Sequence, residues 1–379
     1  MPGNYTICVG TVGSGLWLSP DGGDTWNRVR DGLHGESRVY GLTVHPTEPR
    51  TVFAGAEDGI YRSRDGGQSF THLDSPMNAS DVWKIAIDPA DPDIIFAGTR
   101  PAALYRSTDG GRNWRKLPAE IVEECPNVGT PRVTALTVDP SDPRVVWAGI
   151  EVDGVRRSTD GGESWSRITN GIYDLDIHDI AVTVNGATTV LTSTPGEIFA
   201  SADRGESWQG LGIRDQFSLG YCRGLAQKAD DPETLFAATG NGAAGSTGAI
   251  QRSRDGGRSW QKQTLPVEPN SPIWAFATHP ADPGLIVACS HLRRAVPDPR
   301  RRRFVAQAAT RVHRDPRPVL GSELILAAVS LRPGARGHCK ANCSPLRWVD
   351  LEGQGIDHAR RYRPGSCRCA FPGRSRGAE

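Results

Sequence analysis

The sequence has no apolar run long enough to cross a membrane, and its N-terminus, MPGNYTICVGTVGSGLW, has neither a basic segment nor a long apolar stretch. Both observations argue against a signal peptide and a membrane anchor, so we expect a cytoplasmic protein without a membrane partner. In a reducing compartment, Cys8, Cys125, Cys222 and Cys289 are expected to pack as small apolar side chains rather than form disulfides. We expect neither a cofactor nor a bound metal.

Glycine and proline are abundant, with 44 and 28 residues among 379, which favours many short strands joined by turns over helices. The net charge of +1 hides an asymmetry, because residues 292–379 contain 19 Lys/Arg and only 7 Asp/Glu. Residues 1–291 therefore carry a net charge of −11. An acidic body of this kind does not favour nucleic acid, so no nucleic-acid partner is expected.

A short motif recurs six times, for example as RSTDGGRNW and RSTDGGESW. The intervals between its aspartates are 44, 44, 51, 43 and 52 residues, the length of one four-stranded propeller blade, and the longer intervals indicate loop insertions. Within each motif the carboxylate can accept backbone N–H groups of its own turn, and the glycines permit positive φ. Six equivalent hairpins around a rim indicate a structural role rather than catalysis for Asp21, Asp65, Asp109, Asp160, Asp203 and Asp255.

Upstream of the motifs, a second element such as DVWKIAIDPADP or RVTALTVDPSDP alternates apolar and polar residues and stops at a turn that usually carries proline. An apolar run such as IIFAG, a short strand, the motif and a final strand follow, which makes four strands per blade. We therefore predict an all-β fold, a β-propeller of four-stranded antiparallel blades. Six blades are recognisable and a seventh is damaged. The first motif is preceded by only two strands, so its blade lacks an innermost strand, which the other end of the chain is not expected to supply.

Residues 1–290 are predicted to form the propeller, and residues 291–379 a basic, disordered tail rich in Arg and Pro. Reading the tail's codons one nucleotide out of register gives, with permissible third bases, GELYRTRDGGDSWRKLPREFTEIRAL, which contains a seventh motif in the right place. Our hypothesis is that the tail is translated out of frame and that the ancestral protein had seven blades. The alternative is a real basic segment. It would have an arginine run at Arg300, Arg301, Arg302 and Arg303, and possible zinc ligands at His338, Cys339, Cys343, Cys367 and Cys369.

The repeats between Asp21 and Asp255 resemble the BNR/Asp-box repeats of sialidases, xyloglucanases, sortilin-type receptors and the photosystem II assembly factor. The motifs and the proline-bearing turns before them are most similar in sequence to those of the xyloglucanase-type group. This resemblance implies the propeller fold, but it covers both hydrolases and binding proteins. Membership of the sialidases would imply an Arg-Ile-Pro sequence before the first motif, but no such sequence occurs here. Membership of the xyloglucanases would imply two propellers that face each other across a cleft, whereas only one propeller is recognisable in this sequence.

The sequence favours a non-catalytic, monomeric propeller that binds a glycan or a partner protein, with a xyloglucanase-like glycoside hydrolase as the alternative. Ligands of propellers bind where the innermost strands begin and where the second and third strands are joined. Aligning the innermost strands gives a mouth rich in aromatic rings and charges, suited to stacking and hydrogen bonding. Its members are Arg38, Tyr40, Trp83, Lys84, Arg132, His178, Tyr221, Arg223 and Trp274.

The joining turns add further charged residues to this rim, namely Glu57, Asp58, Arg100, Glu151, Asp153 and Glu197. Glycoside hydrolysis needs two carboxylates roughly 5–10 Å apart, one acting as acid and the other as base or nucleophile. The candidates at the mouth are Asp81, Glu151, Asp153, Asp176 and Asp179. The sequence does not select a pair among them.

Overall fold

The computed structural model describes residues 5–125, 128–265, 268–279 and 282–290, together with the backbone of three short strands at 305–307, 324–328 and 348–350. Six four-stranded sheets are arranged as a β-propeller, which confirms the predicted fold. Apart from those three strands, the tail lies outside the described residues. The predictions made for it, including the reading frame, the arginine run and the zinc ligands, remain predictions.

Each blade follows the chain from its innermost to its outermost strand, and the first blade starts at its second position. The strands of blades one to three are β1 (Tyr5–Gly10), β2 (Leu16–Ser19), β3 (Asn27–Arg28), β4 (Val39–Val44), β5 (Val52–Ala56), β6 (Gly59–Ser63), β7 (Thr71–Leu73), β8 (Asp81–Ile87), β9 (Ile95–Arg100), β10 (Leu104–Ser107) and β11 (Arg115–Lys116). Blades four to six comprise β12 (Val133–Val138), β13 (Val146–Ile150), β14 (Gly154–Ser158), β15 (Ser166–Arg167), β16 (Asp179–Asn185), β17 (Ala187–Ser193), β18 (Ile198–Ser201), β19 (Gln209–Gly210), β20 (Tyr221–Lys228), β21 (Asp231–Gly240), β22 (Gly248–Ser253) and β23 (Gln261–Lys262). A single turn of helix, α1 (Ile213–Gln216), precedes the sixth blade.

The seventh sheet and the remaining strands follow the sixth blade. An antiparallel pair, β24 (Ile273–Thr278) and β25 (Ile286–Ser290), forms the described part of the seventh blade. The later strands are β26 (Val305–Gln307), β27 (Leu324–Ala328) and β28 (Trp348–Asp350), and β26 pairs with β28.

The first blade differs from the sequence expectation. Its vacant innermost position is occupied by β27, which lies beside β1 with Ile7 opposite Leu326 and runs parallel to it. A free strand edge presents unpaired backbone N–H and C=O groups, which another extended segment can satisfy. The other end of the chain therefore does supply a strand here, in the direction opposite to that of an ordinary blade.

Glycines at the end of the second strand let neighbouring blades approach closely. A Cβ atom on Gly98 would come within 2.4 Å of Val133 Cγ1 in the next blade, and one on Gly55 within 2.7 Å of Val82 Cγ1. The same position is held by Gly149, whose Cβ would meet Ile177 at 2.5 Å. The glycine of the recurrent Ala-Gly pair, in runs such as IIFAG, therefore leaves the space that the innermost strand of the next blade occupies.

The Asp-box hairpins are closed by their own hydrogen bonds. In the third blade, Ser107 Oγ donates to Asp109 Oδ1 at 2.8 Å and accepts the N–H of Gly111 at 2.9 Å. Asn113 donates from its backbone and side chain to the same carboxylate, which lowers the pKa of Asp109 to about 2. Equivalent bonds surround all six aspartates, so each carboxylate helps to close its own hairpin.

An arginine before each of three hairpins holds the next blade. Arg62 donates to the carbonyl oxygen of Gly110 at 3.2 Å, and Arg106 and Arg157 contact the carbonyl oxygens of Gly161 and Arg204 in the same way. The Arg-Ser pair at the end of the third strand thus serves two hairpins, since the serine closes its own hairpin and the arginine holds the following one.

The apolar core lies between blades. Trp147 of the fourth blade contacts the motif tryptophan of the fifth, Trp208, edge to face with ring centroids 6.4 Å apart. Among the described residues the four cysteines are buried free thiols, as predicted. No helix in this part of the chain is long and apolar enough to cross a membrane.

Candidate functional site at the propeller mouth

The innermost strands bring the predicted mouth residues to one end of the central channel. Neighbouring innermost strands contact each other around the ring, from β4 through β8, β12, β16 and β20 to β24. Because these strands have the same position and direction in every blade, their first residues meet at the same end. Tyr40, Trp83 and Trp274 accordingly share one apolar cluster.

A stack of side chains crosses three blades at the mouth. The rings of Tyr40 and Trp83 are stacked, with centroids 4.3 Å apart and planes inclined by 22°. The guanidinium of Arg132 lies 4.1 Å from the centroid of Trp83, within cation–π distance. Arg132 Nη2 then lies 2.6 Å from Glu151 Oε1, and both side chains are only 3% exposed. Each of the three blades therefore contributes a side chain that is covered by a side chain of the adjacent blade.

A second set of contacts joins the fifth, sixth and seventh blades. The Arg223 guanidinium lies 4.1 Å from the Trp274 centroid, which repeats the pairing of Arg132 with Trp83. His178 meets Tyr221 edge to face at 5.5 Å, and its Nδ1 lies 2.7 Å from the carbonyl oxygen of Cys222. Burial and the positive charge of Arg223 lower the pKa of His178 to about 4, so the ring is neutral near pH 7.

These contacts leave most of the predicted ligand-binding rings inside the protein. Six of the predicted residues are buried, and their faces meet protein groups, namely Tyr40, Trp83, Arg132, His178, Arg223 and Trp274. Arg38 is exposed and Lys84 partly exposed. A ligand at the mouth would therefore first meet charged groups that stand in front of the aromatic stack.

Asp81 is the centre of the accessible charged group. It begins β8 opposite Arg100 and is partly exposed. Desolvation raises the pKa of Asp81, opposed by a hydrogen bond from the Tyr40 hydroxyl and by the positive charges of Arg100 and Arg38. Burial, followed by the charge of Asp81, raises the pKa of Tyr40 to about 12, so the phenol stays protonated and donates. The backbone N–H of Arg38 in turn donates to Glu57 Oε2 at 2.5 Å.

The other candidate carboxylates have different surroundings. Glu151 is in the buried ion pair with Arg132. Asp179 accepts the backbone N–H groups of Ile180 and, from the next blade, Leu225, both at 3.0 Å. Asp176 Oδ2 lies 3.4 Å from His178 Nε2.

Asp153 has a different set of partners from Glu151, which it follows by two residues. It is buried and bonded to Arg156 in a cavity formed with the connection between β11 and β12. The sequence did not single out Arg156 or this cavity. Its only signal was the 51-residue interval between Asp109 and Asp160, which indicated an insertion.

Two other predicted features also have defined surroundings. Glu197 accepts the N–H groups of Ile198 at 2.9 Å and Ile213 at 3.2 Å, so it fixes α1 against the fifth blade. Within the described ranges, no three His, Cys, Asp or Glu side chains are grouped in a way that would hold a metal ion.

Known proteins that resemble the chain are Asp-box propellers of several kinds. A family model described as sortilin, neurotensin receptor 3, matches residues 14–142. A xyloglucanase of Paenibacillus sp is 26% identical over 289 residues, covering 70% of this chain and 24% of that protein. The photosystem II assembly lipoprotein Ycf48 of Synechococcus sp. (strain CC9902) is 27% identical over 240 residues, covering 61% of this chain and 65% of that protein.

Solved structures give the same picture. An ancestral GH74 enzyme superposes with a TM-score of 0.54 at 18% identity, over 71% of this chain and 36% of that one. YCF48 bound to D1 peptide superposes with a TM-score of 0.54 at 21% identity, over 75% of this chain and 88% of that one. At these identities the likeness shows the fold. Together the matches confirm the resemblance to a BNR/Asp-box propeller family.

Proposed function

We propose that this chain is a non-catalytic binding propeller that recognises a glycan or a partner protein at its mouth. The observation that carries the proposal is the buried ion pair between Arg132 and Glu151. A glycosidase carboxylate must reach the sugar as an acid, base or nucleophile. Glu151 is instead held by a guanidinium that is itself covered by Trp83.

The accessible groups support a binding role. Arg38, Asp81 and Arg100 offer donors and an acceptor in front of a rigid aromatic stack, which suits the hydroxyls of a glycan or the backbone and polar side chains of a peptide. The related proteins are compatible with both kinds of ligand, since one solved structure is of YCF48 bound to D1 peptide and several relatives are xyloglucanases. The chain spans about a quarter of the xyloglucanases' length, so their activity is not carried over as a whole.

The hydrolase alternative rests on Asp81. Its raised pKa, caused by desolvation, is a property that a general acid needs. Among the other candidate carboxylates, Asp176 is best placed to be its partner, because it is 29% exposed whereas Glu151, Asp153 and Asp179 hold structural contacts.

The test is a combined binding and turnover screen of the full chain. Glycan and peptide arrays are expected to show saturable binding that Arg38→Ala and Asp81→Asn weaken roughly tenfold or more, as for loss of a charge-assisted hydrogen bond. Arg144→Ala is the matched control, because Arg144 is an exposed arginine paired with Asp142 in a turn away from the mouth. Xyloglucan turnover that Asp81→Asn abolishes would replace this proposal with the hydrolase alternative.

A further inference from the structure

The connection between β11 and β12 forms an insertion between the third and fourth blades. Hydrogen bonds attach this insertion to the fourth blade. Arg156 Nε donates to the carbonyl oxygen of Glu120 at 3.0 Å, and the N–H of Val122 donates to Asp153 Oδ2 at 3.2 Å. Both anchoring side chains are buried, with Asp153 2% and Arg156 6% exposed, and their charged ends are 2.5 Å apart. A buried pair of this kind fixes the backbone of the insertion in one position.

Beside the insertion is an open cavity of about 350 Å³, whose lining includes none of the residues of the aromatic stack. It is lined by aliphatic and aromatic groups from Ile121, Val122 and Trp165, and by the charged groups of Glu120, Asp153, Arg156 and Arg167. Val122 is 42% exposed, one of only two large apolar side chains in the described residues that reach this level. A volume of this size, apolar walls and a few fixed polar groups are the usual features of a small-ligand site.

Arg167 is the charged group in the cavity that remains open to a ligand. Arg156 uses its Nε, Nη1 and Nη2 on Glu120, on the Asp153 carbonyl and on the Asp153 carboxylate. Arg167 lies 3.5 Å from Asp153 Oδ1, longer than a charge-assisted hydrogen bond, and its side chain is 46% exposed. The Arg167 side chain therefore lies at the edge of the cavity, beside Asp153 and partly open to solvent.

We propose that this cavity is a second ligand site that takes a carboxylate carried on an apolar body, either a free organic acid or an acidic side chain of a docked peptide. Asp153 is shared between Arg156 and Arg167, so these three groups together carry one net positive charge beside the apolar walls. A guanidinium presents paired donors that match a carboxylate. Trp165, Ile121 and Val122 would contact the apolar body. Glu120, which is exposed at the rim, would oppose the ligand's charge.

The experiment titrates the full chain with two pairs of probes by calorimetry and ligand-observed NMR. Phenylacetate is compared with its neutral analogue phenylacetamide. A blocked dipeptide of phenylalanine and glutamate is compared with the same dipeptide carrying glutamine. We expect each acid to bind roughly tenfold or more tightly than its amide, the value of one charge-assisted contact. Binding of phenylacetate alone identifies a free acid as the source, and binding of the dipeptide identifies a peptide.

Three variants tie the binding to this cavity. Arg167→Gln is expected to remove the preference for the acid. Lys116→Gln changes the equivalent cation of the third blade, two residues after its motif tryptophan, and is expected to leave binding unchanged. Glu120→Gln removes the opposing charge and is expected to tighten acid binding.

The proposal is overturned if neither acid binds at millimolar concentration, if the amides bind as well as the acids, or if Arg167→Gln and Lys116→Gln behave alike. Weaker acid binding by Glu120→Gln would overturn it as well, because removing a nearby negative charge should favour an anionic ligand at this site. Neither Arg167 nor Glu120 is buried, so both variants are expected to melt like the parent chain. Failure here would leave the proposal for the mouth intact, since no residue is shared.

Discussion

Replacing Glu151 by alanine tests whether the mouth is held together by its charges. The change leaves the guanidinium of Arg132, 3% exposed, without the carboxylate that lies 2.6 Å away. Breaking a buried ion pair by removing one partner costs about 3–5 kcal/mol. The Trp83 ring at 4.1 Å remains, but a desolvated cation–π contact contributes only about 2 kcal/mol and is present before and after the change.

The measurement is urea unfolding of the full chain, followed by tryptophan fluorescence. Typical domains are stable by about 5–15 kcal/mol, so the expected loss lowers the unfolding midpoint substantially. The double variant Arg132→Met/Glu151→Leu is expected to recover much of the loss, because apolar replacement of a buried pair is often neutral. Glu163→Ala is the control, since Glu163 bridges Arg106 and Arg115 on the surface with half of its side chain exposed, and its loss is expected to be much smaller.

A cost below about 1 kcal/mol for Glu151→Ala, the range of an exposed ion pair, would show that this buried pair does not hold the mouth together. A gain in stability would be more informative still, because active-site residues commonly reduce stability and their removal often raises it. That outcome would return Glu151 to the set of possible catalytic carboxylates.

Three further predictions concern the scaffold. Gly98→Ala should destabilise the chain by about 1–3 kcal/mol, because the new Cβ would meet Val133 at 2.4 Å, whereas Gly220→Ala, with open space around it, should be nearly neutral in the same urea series. Val152→Gly should raise the thermal midpoint, since Val152 has φ of 62° and a β-branched residue in this region costs about 1–3 kcal/mol; an unchanged or lower midpoint would argue against strain. Hydrogen bonds lower the pKa values of Asp109 and Asp160 to about 2. The ionised carboxylates therefore stabilise the folded chain fully at pH values above their ordinary pKa of 3.8, and this stabilisation is lost as the pH falls through 2. NMR titration midpoints near 4 for these carboxyls would contradict this acid sensitivity.

The architecture was predictable from sequence because its signals are local and repeated. A hairpin such as that of Asp109 is closed by residues within four positions of one another, so its letters specify its geometry without help from the rest of the chain. The six copies then fix the blade length. The pairing of β27 with β1 was not predictable, because a free strand edge accepts an extended segment with little demand on its sequence.

The mouth was predictable as a set of residues but not as a set of contacts. Aligning the innermost strands grouped Tyr40, Trp83 and Arg132 at one end of the ring, and the structure brings their side chains together. The alignment gave no sign that they cover one another, because each contact joins two blades and depends on the angle between them. An alignment of the strands describes each blade separately. It therefore cannot distinguish aromatic rings that stack between blades from aromatic rings that are accessible to a ligand.

The turn at Glu151, Val152 and Asp153 shows how the chain divides neighbouring charges between two sites. Both carboxylates were expected at the rim, because they lie in the turn that joins the second and third strands of the fourth blade. The left-handed conformation of Val152 reverses the backbone between them. Glu151 then pairs with Arg132 at the mouth, and Asp153 pairs with Arg156 beneath the insertion. Strain of this kind persists where the surroundings over-determine the conformation, and two buried ion pairs on either side of one residue do so here. Because Val152 lies between the two ion pairs, a change of its conformation is expected to affect the mouth and the cavity beside the insertion together.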